Sequence, residues 1–349
     1  MADIQNKYIK AAQEADMSLC GEFTHAAYDQ TYAAVMDDPS RDAPELLIAA
    51  ACANMDIVFG EDHRDMASTM EQIMGLTKAL PGGHIKAIAL EYPVEMQEVF
   101  DPVIMRDIGF EDFLRKAFLL DLEATRSLAD DMMQSGDIRA DQHAYLMNKL
   151  QTQVEMLLNV PDLENMMRGS SLEGLYQMVK TAAEHGVPVI AADMHRERLI
   201  GIRLANPAMP YELRMSDDDF DALFNQGVDD RSDVERIKDM GVDLDGPGIL
   251  LVHRGYAHIN GTGFGASAGV EQTNGIDDIL ERSGREVVTV EIGSIDVPDR
   301  SVPDPADLSL AIDDMGRPVL DRSVYEEQKA IGDAPETPVP TSSPDLFKP

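Results

Sequence analysis

Met55-Asp-Ile-Val-Phe-Gly-Glu-Asp-His63 is typical of a short buried strand that ends in a polar turn. Its apolar run stops at Gly60, and the turn then presents Glu61 and His63. A similar segment lies almost two hundred residues later, Ile249-Leu-Leu-Val-His-Arg-Gly-Tyr-Ala-His258. It is also rich in β-forming residues and ends in Gly-x-x-His. We therefore expect the two Gly-x-x-His turns to face one site at the edge of a single sheet.

The residues around the first turn predict a strand–helix–strand unit. A short helix is predicted over 46–53, because Asp42-Ala-Pro-Glu45 has the capping residue, the proline and the acidic residue of a helix start. Apolar residues at helical spacing follow His63 and end at the Pro81-Gly-Gly83 break. A second strand, Lys86-Ala-Ile-Ala-Leu-Glu91, comes next. This order favours a parallel sheet.

Three more strands and a long helical block complete the predicted fold. Strands are expected at 186–193, 248–253 and 286–292, and helices at 112–133, 141–158, 171–184, 217–240 and 275–282. We predict an α/β domain over 42–297, with a mainly parallel sheet flanked by helices and an all-helical insertion at about 110–186. A helical extension, 1–41, precedes this domain. A partly disordered tail rich in Pro and Asp, 298–349, follows it.

Composition excludes some classes of function. The 349-residue chain has a net charge of -35, which repels phosphate backbones and anionic membranes. We therefore expect no nucleic-acid partner and no membrane insertion. The acidic surface either keeps the protein soluble or attracts a basic partner.

Two cysteines, Cys20 and Cys52, are too few for a disulfide framework and fit a reducing compartment. Without a recognisable signal peptide or apolar span, a cytoplasmic location is expected, with signal-independent secretion left open.

Polar residues converge where the predicted parallel strands end. That edge of an open α/β sheet is where ligands bind. The residues are Glu61, His63, Glu91, Asp193, His195, His253 and His258. Imidazoles and carboxylates together suit a divalent metal such as Mn, Co or Zn, which activates water. Without a metal, a histidine oriented by a carboxylate serves as a general base.

Structural interpretations stand beside the functional ones. Gly-x-x-His occurs by chance in many chains, and His253 lies inside an apolar run, which favours a hydrogen-bonded core histidine. His195 is either a ligand or the cap of a helix. The glycine-rich segment Gly261–Gly269 lacks the position of a dinucleotide-binding loop, so a flap beside His258 is the simpler interpretation. The methionines of the helical insertion form either an adaptable core or a lid.

These motifs resemble a known superfamily, which includes the Tiki metalloproteases, TraB-like proteins, ChaN haem-binding lipoproteins and erythromycin esterases. Asp56–His63 is similar to its opening strand with Gly-Glu-x-His, and Ala87–Glu91 to its second strand. Gly186–Asp193 resembles the strand after its helical insertion, and Leu251–His258 its late Gly-x-x-His. Asp277–Ile292 resembles its closing helix and strand. The likeness covers most of residues 45–293, in order.

The resemblance implies a shared α/β fold and a site at His63, Glu91 and His258, supported by Glu61. The expected function is hydrolysis of a peptide, ester or similar bond in a small-molecule or peptide substrate. His63, Glu91, His258 and Asp193 are the candidate metal ligands. His195 and His253 are the candidates for cofactor binding.

Two other functions are alternatives to hydrolysis. The protein is either a non-catalytic binder of haem or another small ligand, or an effector or interaction protein with an inert site. A homo-oligomer is a further expectation. The chain lacks the lipoprotein signal and membrane span of the anchored members.

Overall fold

The structure is a computed structural model that describes residues 2–14, 25–38, 43–61, 66–136, 138–193, 231–245, 247–255, 259, 275–293, 308–312 and 318–321. Its strands are β1 (Asp56–Glu61), β2 (Ile85–Pro93), β3 (Val189–Asp193), β4 (Ile249–Gly255), β5 (Val287–Ile292), β6 (Leu308–Ile312) and β7 (Pro318–Leu320). In the described ranges they form one seven-stranded sheet in the order β3-β2-β4-β1-β5-β6-β7. All neighbouring pairs are parallel except β6 with β7.

Helices precede the sheet and occupy its connections. They are α1 (Ala2–Glu14), α2 (His25–Asp37), α3 (Ala43–Cys52), α4 (Met66–Ala79), α5 (Gln97–Ile104), α6 (Phe110–Ser135), α7 (Ala140–Asn159), α8 (Leu163–Met166), α9 (Ser171–Glu184), α10 (Arg231–Asp239) and α11 (Ile276–Arg282). A 3₁₀ turn, Val94–Met96, joins β2 to α5. The predicted α/β class and mainly parallel sheet are confirmed. None of the helices in the described ranges combines the length and apolarity that a bilayer crossing requires.

The five predicted strands are all present, and two further strands were not predicted. β6 and β7 lie in the segment that the sequence assigned to a Pro- and Asp-rich tail. Both are short, and β6 gains its partner only by extending the sheet beside β5. The sequence predicted no element in these residues, because pairing with a distant strand leaves little local signal. For the predicted helix at 217–240, the described part is α10, and residues 217–230 lie outside the described ranges.

Both faces of the sheet are covered, as the apolar character of its central strands requires. The larger core joins one face to α1, α3, α4, α5 and α9, and the smaller joins the other face to α10 and α11. Alternate residues of a strand belong to different cores: Ile57 and Phe59 lie in the larger, and Val58 lies in the smaller. The same alternation decides which face each polar residue at the strand ends occupies.

Cys52 is completely buried at the end of α3 and is disulfide-bonded. The other cysteine of the chain, Cys20, lies outside the described residues.

A buried ion pair ties the three central strands together at their amino ends. Asp56 is the first residue of β1 and is completely buried. Its Oδ1 accepts a hydrogen bond from the Leu250 amide of β4 at 2.7 Å and another from Arg285 Nη2 at 2.6 Å. Arg285 also donates to Asp56 Oδ2 and, at 2.9 Å, to the carbonyl of Gly248. Burial raises the pKa of Asp56 although Arg285 opposes that rise, so the pair has a desolvation cost.

Arg285→Ala is expected to destabilise the protein by about 3–5 kcal/mol, because the change leaves Asp56 buried without its cation. Urea denaturation followed by circular dichroism measures the loss. Arg282→Ala is the matched control, since Arg282 forms an exposed ion pair with Asp278 at 3.5 Å. That control should cost less than about 1 kcal/mol. Equal losses in the two variants would contradict a structural role for the buried pair.

The N-terminal helix α1 is docked by a tyrosine that fills the space over a glycine. Tyr8 is completely buried and donates a hydrogen bond to Gln72 of α4. A Cβ atom on Gly75, one turn further along α4, would overlap the Tyr8 ring. Burial raises the pKa of the Tyr8 hydroxyl well above its usual value, so the neutral hydroxyl is the form that this contact holds. The glycine therefore permits α1 to approach α4 closely.

Gly75→Ala is expected to destabilise the protein by about 1–3 kcal/mol, because the methyl group would displace a buried ring. Gly174→Ala is the control, since it is also a helical position but its nearest neighbouring heavy atoms would lie 3.9 Å from the new Cβ. The control should be neutral or stabilising by up to about 1 kcal/mol. Thermal and urea unfolding would compare the two variants. A stabilising effect at Gly75 would disprove the close approach of α1.

Candidate functional site

Four of the predicted site residues end four adjacent strands of the sheet. From one side of the row to the other they are Asp193 on β3, Glu91 on β2, His253 on β4 and Glu61 on β1. The register pairs His253 with Leu90 on one side and with Phe59 on the other. The sequence predicted these residues at one edge, and the strand order places β2 and β4 between β3 and β1. The carboxyl edge of the sheet is therefore the candidate site.

Within the row, His253 and Glu61 are in direct contact. Their Nε2 and Oε1 atoms lie 3.2 Å apart, and both side chains are essentially inaccessible to solvent, 1% and 0% exposed. The two residues lie on the face of the sheet that carries the larger core, because they share the alternation of Leu251 and Phe59. The contact crosses from β4 to β1, strands that are far apart in sequence but paired in the sheet.

The imidazole of His253 is held by packing and by this carboxylate. Neither of its ring nitrogens has a correctly aligned hydrogen bond within the described residues. The sequence favoured a hydrogen-bonded core histidine at this position. The structure confirms its burial and adds a partner, Glu61, that the sequence had assigned separately to the site.

A threonine from α4 contacts the other oxygen of the same carboxylate. Thr69 is completely buried, and its Oγ1 lies 3.4 Å from Glu61 Oε2. Glu61 therefore connects a hydroxyl on one side to an imidazole on the other. Thr69 was not identified from the sequence, because a threonine in the first turns of a helix is common and carries no motif. Only the packing of α4 over the end of β1 brings it to the site.

Glu91 makes a contact that the sequence did not predict. Its Oε2 accepts a hydrogen bond from the backbone amide of Gly255, the last residue of β4. That glycine is the first residue of the Gly-x-x-His motif, whose other residues lie outside the described ranges. One oxygen of Glu91 is therefore engaged by the end of β4. Asp193 is buried at the end of β3, two strands away from His253 in the sheet.

Arg254 is a buried cation whose role was not predicted from the sequence. It is completely buried, and alternation along β4 places it on the opposite face of the sheet from His253. Its Nη2 donates a hydrogen bond to the carbonyl of Ala192 at 3.3 Å, which links β4 to β3 across β2. The signal in the sequence was a single arginine at the end of an apolar strand. A buried arginine is rare and contributes positive charge to the edge where the acidic residues meet.

The three other predicted site residues, His63, His195 and His258, lie outside the described residues. So does the glycine-rich segment after His258. Within the described ranges, no group of three histidine, cysteine or acidic residues is arranged to hold a metal ion. Glu61, Glu91, Asp193 and His253 therefore share an edge, and Glu61 and His253 are in direct contact.

No family model, curated protein or solved structure matches the chain. The fold and the geometry of its carboxyl edge are therefore the basis for a functional proposal.

Thr69→Val is expected to destabilise the protein by about 1–3 kcal/mol, because it removes a hydroxyl that faces a buried carboxylate. Thr77→Val is the matched control, since Thr77 is also buried in α4 but donates to the Ile73 carbonyl at 2.7 Å. That carbonyl is also the acceptor position for a helical amide, so the control should cost about 1 kcal/mol or less. Urea denaturation of both variants gives the comparison. A larger loss at Thr77 would contradict the Thr69–Glu61 contact.

Proposed function

We propose that this chain is a hydrolase acting on a peptide, ester or similar bond, with its chemistry at the carboxyl edge of the sheet. The observation that carries the proposal is the buried His253–Glu61 pair, with 3.2 Å between Nε2 and Oε1. An imidazole beside a carboxylate is the standard arrangement for general-base activation of water or a hydroxyl. Its position at the carboxyl ends of parallel strands is where open α/β sheets bind substrates.

In this proposal, His253 takes a proton from the attacking water and later gives it to the leaving group. Glu61 orients the ring and stabilises the imidazolium that forms in between. Thr69 holds the second oxygen of Glu61, at 3.4 Å. Low solvent access strengthens the interaction between the imidazolium and the carboxylate relative to water. Each residue therefore has a role that its measured contacts support.

A metal-assisted version adds a divalent ion such as Mn, Co or Zn, with His63, Glu91, His258 and Asp193 as proposed ligands. The donor types at this edge fit such an ion. When bound, the ion would lower the pKa of a coordinated water.

The resemblance of residues 45–293 to the Tiki, TraB and ChaN-like superfamily supports the same proposal. The α/β class, the helices between β2 and β3 and the strand-end position of Glu61 agree with it. We therefore propose that this helical segment is the insertion of that superfamily. The superfamily includes both metal-dependent peptidases and a metal-independent esterase, so the metal is tested separately from the general base.

His253→Ala and Glu61→Gln are each expected to lower kcat by about 100-fold or more, the usual contribution of general-base catalysis. p-Nitrophenyl acetate and a mixed peptide library, with and without added Mn, Co or Zn, are the probes. His185→Ala is the matched control, because His185 ends α9 and its ring contacts only its own helix, at the Thr181 carbonyl. Hydrolysis that is unchanged in both site variants would disprove the proposed site.

Metal analysis of protein purified without a histidine tag tests the metal-assisted version. Wild type is expected to retain a divalent ion that His63→Ala and His258→Ala lose. Equally little metal in all three proteins would reject this version and leave the general-base proposal standing. A Soret band on haem titration that is absent from His258→Ala would instead support the alternative of haem binding.

A further inference from the structure

The two edges of the sheet, in the part of the chain that the structure describes, differ in how they resist pairing with another strand. β7, at one edge, has three residues and begins with Pro318, which has no amide hydrogen to donate. β3, at the other edge, has five residues, of which Val189–Ala192 are apolar and uncharged. A short strand and a proline discourage strand addition, whereas an apolar edge favours it. The protection of β3 must therefore come from another element.

The backbone groups of β3 that point away from the sheet are those of Val189 and Ala191. The Ile88 amide of β2 donates to the Pro188 carbonyl at 2.8 Å, so the backbone of Pro188 faces β2. Backbone groups alternate in direction along a strand, which turns those of Val189 and Ala191 to the edge. A row of such groups without partners is the template on which another strand adds.

The side chain of Gln97, the first residue of α5, occupies this position at the edge. Its Nε2 donates to the Val189 carbonyl at 3.1 Å, and its Oε1 accepts a hydrogen bond from the Ala191 amide at 3.0 Å. A residue of a parallel neighbouring strand makes the same two bonds through its own N–H and C=O groups. The side-chain amide of Gln97 therefore takes the place of one strand residue beside Ile190.

The orientation of this amide is fixed by its partners. Nε2 also donates to Asp101 Oδ1 at 2.8 Å, one turn later in α5. The amide nitrogen thus faces two oxygen acceptors while the amide oxygen faces an N–H donor, and the reversed orientation would place like groups together. Gln97 is also buried, with 8% of its surface exposed. Water therefore cannot readily replace these bonds.

We propose that Gln97 is an edge-blocking residue, which prevents the β3 strand of a second copy of this chain from adding to the β3 edge of the first. Two identical edge strands can pair antiparallel about a two-fold axis and join two sheets into one. The amide of Gln97 occupies the place that an incoming backbone would need. The net charge of -35 opposes association at long range, and Gln97 opposes it at contact. This inference is independent of the proposed hydrolase site.

Gln97→Ala should open the edge, because it removes the amide and leaves the outward groups of Val189 and Ala191 without these bonds. Sedimentation velocity of the full-length chain over a concentration series, at about 0.5 M salt to screen the acidic surfaces, measures self-association. Gln97→Ala is expected to self-associate about tenfold more tightly than wild type, or more. A Gln97→Ala protein that associates no more than wild type overturns the proposal.

Two matched variants separate edge blocking from a general loss of stability. Gln97→Glu also loses both donated hydrogen bonds, but it keeps a charge at the edge, and such a charge discourages strand addition. Gln72→Ala removes another buried helical glutamine, whose partner is Tyr8 on a helix rather than a strand. Neither variant should associate more than wild type. Association of either one as strong as that of Gln97→Ala would mean that destabilisation is the cause, which overturns the proposal.

Hydrogen exchange of the wild-type protein, measured by NMR, tests the contact without a substitution. The Ala191 amide should exchange as slowly as the amides of Ile190 and Ala192, which face β2, because Gln97 protects it. An edge amide without this partner would exchange much faster. Fast exchange at Ala191 beside slow exchange at Ile190 and Ala192 would therefore overturn the proposal, even if Gln97→Ala failed to fold.

Discussion

The buried pair of Asp56 and Arg285 is the interaction on which the rest of this structure depends. Asp56 begins β1, receives the Leu250 amide of β4 and binds the guanidinium that immediately precedes β5. One carboxylate therefore connects the starts of the three central strands and holds their register. A slip of one residue would turn every side chain of a strand to the opposite face. Since His253 meets Glu61 only when β4 and β1 keep this register, an ion pair at one end of the sheet maintains the contact at the other.

The two ends of the sheet use charge in different ways. At the amino end, Asp56 is enclosed by donors, and its desolvation is offset by Arg285 and the Leu250 amide. At the carboxyl end, His253 has a carboxylate beside Nε2 and no aligned hydrogen bond to its ring within the described residues. The first arrangement consumes the donors and acceptors of its members and is structural. The second is the arrangement on which the proposed general-base role is based, since it places an imidazole beside a carboxylate.

Much of the fold followed from local patterns. Apolar runs and helical spacing placed β1 to β5, and α6, α7 and α9 begin and end within about two residues of their predicted bounds. The parts that were missed depend on distant partners. β6 and β7 form because β5 offers an unpaired edge, and α1 docks because Gly75 leaves room for Tyr8. In the site, strand-end placement was predictable for Glu61, Glu91, Asp193 and His253. The engagement of Glu91 with Gly255 and the approach of Thr69 were not, since neither contact is local in sequence.

The sequence by itself determined the class of the fold and the edge at which its polar residues gather, because side-chain alternation and strand direction are local properties. It also determined the net charge of -35. Only the tertiary structure decided which of the gathered residues touch. Strand order is set by the pairing of whole strands, and it placed β4 beside β1 and so His253 beside Glu61. Burial was decided in the same way, since α4 covers Glu61 and α6 covers only one side of α7.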